Sequence, residues 1–533
     1  MPHDSMSGPG LLLIAAILVP WLTAILLILG KSWPDRMVQG IGLLGFTVPA
    51  VIALVLWAWF GQAPVGPDGY RFVIEMPTGL DQVFGVSLKL GLNGLALPLY
   101  VAAGWIGLAA GLYALRGGVD RQRYYFVLLL FMHGGLMGIF AAVDLFFFYF
   151  FHEVALIPTF ILMVAWGGRG RRSAAMMMVV CLTAGAMLSL AGLIALYVQS
   201  GATAFDIVSI RQALAAEPLA ATNQKVLFGL LLLGFGILVS LWPFHHWAPP
   251  TYATAPTAAA MLHAGVLKNF GLYGLAQIAI PCLPAGALAW REPLLVLALG
   301  NVLVIGLVTL AQHHLKHMVA YSSVMHVGYG FLGLGCLSAV GLGGSVILMV
   351  GYGLTAALLL LLATAIFQRS ETFDMDAMGG LAHRAPFLVV CAVAALFASI
   401  GLPGFANFWG ELAVFIGLWE YSPGLAALAM IGVVLSAVYA LRAAARMFFG
   451  PDELAVPDRA GGHDLRFSEA LPVVVLLAAL LFIGLYPRGV TAPLQEAIAV
   501  ADSPWEVELG SPASTPAVVR GSGDCQGTRA FID

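Results

Sequence analysis

Charged residues are scarce in this sequence. Asp, Glu, Lys and Arg make up 10% of the 533 residues, whereas ordinary soluble chains carry about 25%. Hydrophobic residues make up 61%, so the composition excludes a soluble globular protein. The formal net charge of −3 identifies no partner, because the few charges sit mainly in the loops between apolar runs. We therefore expect a lipid bilayer around this chain and no nucleic-acid partner.

Cofactor and metal motifs are also missing. The five cysteines are scattered and have neither metal-ligand spacing nor the pattern of a disulfide framework. The sequence contains no glycine-rich nucleotide loop, no CxxC pair and no haem motif. We therefore expect no cofactor, no metal and no redox chemistry in this chain.

Long apolar segments make up most of the sequence. Each is about 20 residues, the length that crosses a bilayer as a helix. The fold class predicted is an all-α polytopic membrane protein with about fourteen transmembrane helices, numbered here as spans 1 to 14. They lie near residues 11–30, 37–60, 93–115, 124–142, 144–166, 173–199, 226–247, 254–280, 293–311, 318–338, 342–367, 386–418, 424–449 and 468–487.

The loops alternate in basic charge, which predicts the orientation. One set holds most of the lysines and arginines and is expected in the cytoplasm. The other set holds only Arg71, Lys89, Arg211, Lys225 and Arg291. With an even number of spans, both termini are then non-cytoplasmic. A bacterial inner membrane is the expected location.

Two spans carry helix-breaking residues. Span 7 stops at Trp242-Pro243, and three more prolines follow by Pro256. Span 12 contains Gly401-Leu402-Pro403-Gly404. Proline removes a backbone donor, and paired interrupted helices indicate a repeat-built transporter. We predict two inverted repeats with broken helices 7 and 12. The predicted division is helices 1–3 (1–123), a first repeat (124–280), a second repeat (281–450), a loop with helix 14 (451–487) and a disordered tail (488–533).

Three charges lie inside apolar runs. Glu153 is in span 5, Lys268 in span 8 and Glu411 just after the break of span 12. A charge at the bilayer centre costs about 2.5–3.5 kcal/mol on insertion scales. We therefore predict that these residues form an ion path. The alternative is that they only stabilise contacts between helices. His326 and His245 are candidate relays, because imidazole titrates near neutral pH.

Two segments outside the spans have a local pattern. Residues 61–92 partly alternate apolar and polar side chains, which is typical of a short β-hairpin. The segment after Pro487 is rich in Ser, Pro, Gly and Ala, which favours disorder.

Four motifs resemble one family. They are HEVALIPTFILMVAWGG (152–168), the stretch from WPFHHWAPP to KNFGLYG (242–274), HHLKHMVAYSSVMHVGYGFLGLG (313–335) and GLPGFANFWGELAVFIG (401–417). They are similar to the antiporter-like, proton-translocating membrane subunits of respiratory complex I, most closely its M subunit (chain 4). The L subunit would continue into a long lateral helix, which the tail here cannot form.

The resemblance implies roles for single residues. Glu153 matches the glutamate that couples proton uptake to a lysine. Glu411 matches the terminal proton site. His326 matches the histidine after the YSS motif. Lys316 matches the basic residue before that motif and is a third candidate relay.

The chain departs from the family at several polar positions. The lysine of span 8 usually stands in a GVLLK pattern, whereas here Lys268 falls one place early and Asn269 takes the aligned position. Four other polar groups of the family's proton wire are replaced, by Leu238, Met177, Tyr352 and Asn93. Because Leu238 stands where a lysine faces the span 5 glutamate, we predict that no lysine pairs with Glu153.

The function implied is a proton path coupled to electron transfer in NADH:quinone oxidoreductase. Other subunits would bind NADH and quinone. The partners implied are L-type, N-type and small membrane subunits. Two alternatives stay open, namely a subunit of a cation/proton antiporter or ion-coupled transporter, and a structural subunit whose pump has been lost. The residues leave open whether the ion is a proton or Na⁺.

The predicted orientation is testable with reporter fusions. Alkaline phosphatase fused after Asp533 should be active, because the carboxyl terminus is expected on the non-cytoplasmic side. A green fluorescent protein at the same position should be dark. A fluorescent fusion with an inactive phosphatase would contradict the assigned sides.

Overall fold

The computed structural model describes residues 8–66, 69–79, 81–116, 119–450 and 464–500, and nearly all of its elements are helices. The first part contains α1 (Gly8–Leu29), α2 (Asp35–Phe60), β1 (Arg71–Pro77), α3 (Asp81–Phe84), β2 (Ser87–Leu92), α4 (Ala96–Ala114), α5 (Gln122–Ala141), α6 (Leu145–Trp166), α7 (Arg171–Ser200), α8 (Ile207–Ala216) and α9 (Ala221–Val239). Apolar segments form helices in a bilayer because a helix satisfies its own backbone groups.

The central part contains many short helices. They are α10 (Ala248–Thr254), α11 (Thr257–Leu262), α12 (Asn269–Gly274), α13 (Ile280–Cys282), α14 (Pro284–Leu299) and α15 (Gly306–Leu310). Three π-helical segments join them, at His263–Leu267, Leu275–Ala279 and Gly300–Ile305. Nothing in the sequence pattern predicted these π segments.

The last part returns to long helices. It contains α16 (Leu315–Gly335), α17 (Ala339–Ser370), a 3₁₀ turn (Met375–Ala377), α18 (Leu381–Arg384), α19 (Pro386–Ile400), α20 (Ala406–Tyr421), α21 (Pro423–Phe448), α22 (Phe467–Leu485) and α23 (Arg488–Val500). Helix α17 lies at the centre, packed against α4, α11, α16, α20 and α22.

The all-α polytopic class is confirmed, whereas the count of fourteen spans is not. Within the described ranges, eleven helices are long and apolar enough to cross a membrane. The three other predicted spans are span 8, which is divided among α11 to α13 and two π segments, span 10, which is α16, and span 12, which is divided between α19 and α20. Helix α16 is long enough but carries several polar side chains, including His326.

Both predicted breaks are confirmed. Helix α9 ends at Val239, and the following Ser240 has a φ of 72°, so the chain leaves the helix until Ala248. Helix α19 ends at Ile400, and α20 begins at Ala406.

One asparagine stabilises each break. Asn301, in the third π segment, donates to Ser240 O (3.1 Å) and Val324 O (2.9 Å) and accepts from Trp242 N (2.7 Å). Asn407 donates to Ala398 O at 2.7 Å. These amides satisfy backbone groups that the breaks release, which a membrane interior requires.

The β-hairpin is confirmed, because β1 and β2 pair antiparallel with a register shift between Arg71 and Ile74. The predicted disorder after Pro487 is wrong for Arg488–Val500, which forms α23. Tertiary contacts explain the error: Trp57 Nε1 donates to Gly489 O at 3.0 Å, and Arg71 forms an ion pair with Glu496. Residues 501–533 and the predicted loop 451–463 lie outside the described residues.

Removing the amide of Asn301 should destabilise the fold. Asn301→Ala leaves one partly buried backbone N–H and two buried carbonyls without this partner, and each unsatisfied buried group costs about 1–3 kcal/mol. We expect a lower unfolding temperature of the detergent-purified protein in a fluorescence thermal scan. Asn223→Ala, at an exposed position of α9, is the matched control. Equal unfolding temperatures for the two variants would refute this role.

Candidate functional site

Lys268 is buried and directed toward α16. It follows the π segment His263–Leu267, and its N–H donates to His263 O at 2.9 Å. Its Nζ donates to Ser323 O (2.9 Å) and Ser323 Oγ (3.1 Å), and it lies 5.6 Å from the centre of the Tyr252 ring. The ammonium therefore has polar partners in an apolar surrounding.

Asn269, the next residue, faces another way. Its amide donates to Met349 O on α17 (2.9 Å) and to Gly265 O (3.2 Å). Neighbouring helical residues differ by about 100° in direction. Lys268 is therefore directed at α16, whereas Asn269 joins its own helix to α17.

His326 is the centre of a hydrogen-bonded cluster. Its Nε2 lies 3.0 Å from Tyr439 Oη and 3.2 Å from Ser399 Oγ. The hydroxyl of Tyr439 also lies 2.7 Å from Ser322 Oγ. Because Ser322 adjoins the serine that binds Lys268, the cluster lies beside the ammonium.

Glu411 is buried next to the break of span 12. The hydroxyl of Tyr352 donates to Glu411 Oε1. A Cβ placed on Gly401 would lie 2.2 Å from Glu411 Oε2, and Gly401 has a φ of +81°. Gly401 therefore does two things: its positive φ turns the chain at the break, and its missing side chain leaves room for the carboxylate of Glu411.

A small cavity joins these groups. Its volume is about 30 Å³, enough for a water molecule. Lys268 and His326 line it, together with Ser322, Ser323, Tyr352, Thr355 and Ser399. Three of the predicted residues, Lys268, His326 and Glu411, are therefore brought together, with Glu411 one hydrogen bond away through Tyr352.

Glu153 lies apart from this cavity. Its side chain is 30% exposed, and Oε1 lies 3.4 Å from Nδ1 of His152. The ring of His152 stacks on Phe270, with centroids 4.1 Å apart. All five lysines fall in the described part of the chain, and none forms an ion pair with Glu153. The prediction that no lysine pairs with Glu153 is confirmed.

The two other candidate relays do not line the cavity. His245 lies in the turn after α9, buried, with its ring 4.3 Å from that of His246. Lys316 is in the first turn of α16, 5.2 Å from the centre of the Phe373 ring. It precedes His326 by ten residues, about 15 Å along a helix. No group of three potential metal ligands occurs within the described ranges.

Sequence reasoning missed several members of the cluster. Tyr439 stands in a run of small apolar residues in α21 and carried no signal. Ser322 and Ser323 belong to the YSS motif that located His326. Tyr352 was noted only as a replacement, although it contacts Glu411.

Residues 142–437 match the family described as NADH:quinone oxidoreductase/Mrp antiporter, transmembrane. The chain is 31% identical over 452 residues to an NAD(P)H-quinone oxidoreductase chain 4 of Synechococcus sp. (strain JA-3-3Ab), covering 84% of this chain and 83% of the relative. The chain belongs to this family.

Further relatives agree. It is 30% identical to NADH-quinone oxidoreductase subunit M of Pseudomonas aeruginosa, over 89% of this chain and 94% of that protein. A chain in the respiratory complex I of Thermus thermophilus superposes with a TM-score of 0.80 at 29% identity, covering 92% and 99%. A chain of the Mrp complex from Dietzia sp. shares the fold, with a TM-score of 0.80 at 20% identity, covering 94% and 98%. The resemblance to the M subunit is confirmed.

Two replaced family positions lie away from the cavity. Met177 is 42% exposed on α7, and Leu238 is buried at the end of α9. Asn93 keeps a polar role, because it donates to Gln277 Oε1 (3.1 Å), and Gln277 donates to Tyr70 Oη (2.7 Å). The replacements therefore do not remove the polar groups around Lys268.

A methyl group on Gly401 should disturb Glu411. Gly401→Ala adds a Cβ where the carboxylate lies and also strains the positive φ. We expect lower proton transfer by the assembled complex than for Gly404→Ala. Gly404 also has a positive φ (+101°), but its Cβ would meet no atom within 4 Å, so it controls for strain. Equal proton transfer in both variants would contradict contact with Glu411.

Proposed function

We propose that this chain supplies a proton path across an energy-transducing membrane, as the M-type subunit of a complex I-type NADH:quinone oxidoreductase. The observation that carries the proposal is the buried polar cluster of Lys268, His326 and Glu411 beside a broken helix. Ionisable residues inside a membrane are costly and usually mark ion paths. Family membership and the M-subunit relatives support the same function.

The groups are suited to proton transfer. The Lys268 ammonium can release a proton, and the adjacent hydroxyls of Ser323 and Ser322 can both donate and accept. His326 can carry a proton on either ring nitrogen. Glu411 receives the proton at the far end. Electron transfer in other subunits would bias this line through the electric field, because charges interact strongly where water is scarce.

We propose that the carboxylate of Glu153 interacts electrostatically with a neighbouring subunit. Its side chain is partly exposed on α6, in a stripe with Phe146, Phe150, Ile157 and Ile161, all exposed. Within this chain the carboxylate contacts His152, and its exposed part faces outward, where a polar group of a neighbouring subunit can reach it. The proposed neighbours are L-type, N-type and small membrane subunits. His245 and Lys316 are proposed as outer relays.

Two alternatives predict different behaviour. A cation/proton antiporter subunit would exchange Na⁺ or another cation for protons. We retain this alternative because the Dietzia Mrp chain shares the fold. A structural subunit that has lost its pump would leave fewer protons translocated per two electrons. The intact cluster at Glu411 favours a working path over the second alternative.

The chain is a multi-pass integral membrane protein. We propose the bacterial inner membrane as its location, with both termini non-cytoplasmic. We also propose that residues 124–280 and 281–450 are the two inverted repeats, each holding one broken helix.

Neutralising Glu411 should uncouple transport. Glu411→Gln removes the ionisable group and keeps the side chain's size. We expect NADH oxidation and assembly to continue while the initial rate of proton transfer into sealed vesicles falls by about 10²-fold, the lower end for a positioned proton donor or acceptor. Glu420→Gln, on an exposed face of the same helix, is the control. Normal proton transfer by Glu411→Gln at normal protein levels would refute the proposed function.

A further inference from the structure

Tyr352 contacts both His326 and Glu411. It lies near the middle of α17, and its ring stacks on the imidazole of His326 with centroids 4.4 Å apart and planes 29° apart. Its hydroxyl donates to Glu411 Oε1. The same residue lines the cavity that reaches Lys268. One phenol thus spans the gap between the Lys268 side of the cluster and the carboxylate.

The described side chains give Glu411 one hydrogen-bonded neighbour. Within the described ranges, Tyr352 is the one side chain that hydrogen-bonds Glu411. The second oxygen, Oε2, lies against Gly401. Nε2 of His326 is already directed at Tyr439 and Ser399. Tyr352 therefore joins the cavity lining to the carboxylate of Glu411 through one hydrogen bond.

We propose that Tyr352 is a proton relay between the cavity and Glu411. The inference rests on the proposed function, since it adds a residue to the same path. It also gives a role to the position where the resemblance implies a histidine.

The relay step balances as a transfer of one proton. The O–H bond of Tyr352 breaks as an O–H bond forms on Glu411 Oε1. The phenol oxygen takes a replacement proton from a water molecule in the cavity, and that water is reprotonated by the Lys268 ammonium. No electron moves, and the net result is one proton moved from Lys268 to Glu411. A hydroxyl both donates and accepts, which the step requires.

The competing explanation is packing. In that case Tyr352 would only fill space beside His326 and hold the Glu411 side chain in place. Tyr352→Phe separates the two roles, because it keeps the ring and its stacking and removes only the hydroxyl. Tyr352→His restores a protonatable side chain without restoring the phenol.

The test uses the whole complex in sealed, inverted membrane vesicles energised with NADH. Initial proton transfer is followed with a pH-sensitive dye and normalised to electron transfer and to the amount of complex. We expect Tyr352→Phe to lower the rate by about 10²-fold and Tyr352→His to recover most of it. Tyr100→Phe, which removes a buried hydroxyl without a hydrogen-bond partner in the described structure, should leave the rate unchanged.

Each outcome is decisive. Normal transfer by Tyr352→Phe, or a Tyr352→His variant as slow as Tyr352→Phe, would overturn the relay. Loss in Glu411→Gln with normal transfer in Tyr352→Phe would refute only the relay, whereas normal transfer in Glu411→Gln would refute the proposed function. If Tyr352→Phe does not assemble, the solvent deuterium isotope effect of Tyr352→His is compared with that of the wild type. A changed isotope effect supports the relay, and an identical one contradicts it.

Discussion

Polar groups buried in a membrane protein must find their partners within the protein, because lipid offers none. This constraint explains the arrangement around Lys268 and Glu411. Each charge lies beside a helix interruption, and each interruption is stabilised by an asparagine: Asn301 at the break of span 7 and Asn407 at that of span 12. The breaks provide room and polar contacts that continuous helices would not.

The central helix α17 connects the two broken regions. On α17, Met349 O accepts a hydrogen bond from Asn269, the neighbour of Lys268. About one turn later on the same helix, the hydroxyl of Tyr352 donates to Glu411. Thr355 Oγ1, a further turn along, accepts from Asn407 at 3.1 Å. One rigid helix thus holds both ends of the polar line in register, because residues three or four apart share a helix face.

Part of this arrangement could be predicted from the sequence. Glu153, Lys268 and Glu411 were predicted as path residues because a charge inside an apolar run is conspicuous by itself, and both breaks were predicted because Pro and Gly act locally. The π segments, the contact between Tyr352 and Glu411, and the role of Tyr439 depend on how distant helices pack, which leaves no local pattern. Helix α23 was missed for the same reason, since Arg71 and Trp57 hold it in place.

The proposed proton path requires Glu411 to gain and lose a proton while the complex turns over. Infrared difference spectroscopy of the assembled complex, oxidised against reduced in its membrane, tests this directly. We predict a carboxyl band that changes on reduction and disappears in Glu411→Gln, with the other protein bands and the lipid bands unchanged. A difference spectrum in which Glu411→Gln and the wild type are identical in the carboxyl region would contradict it.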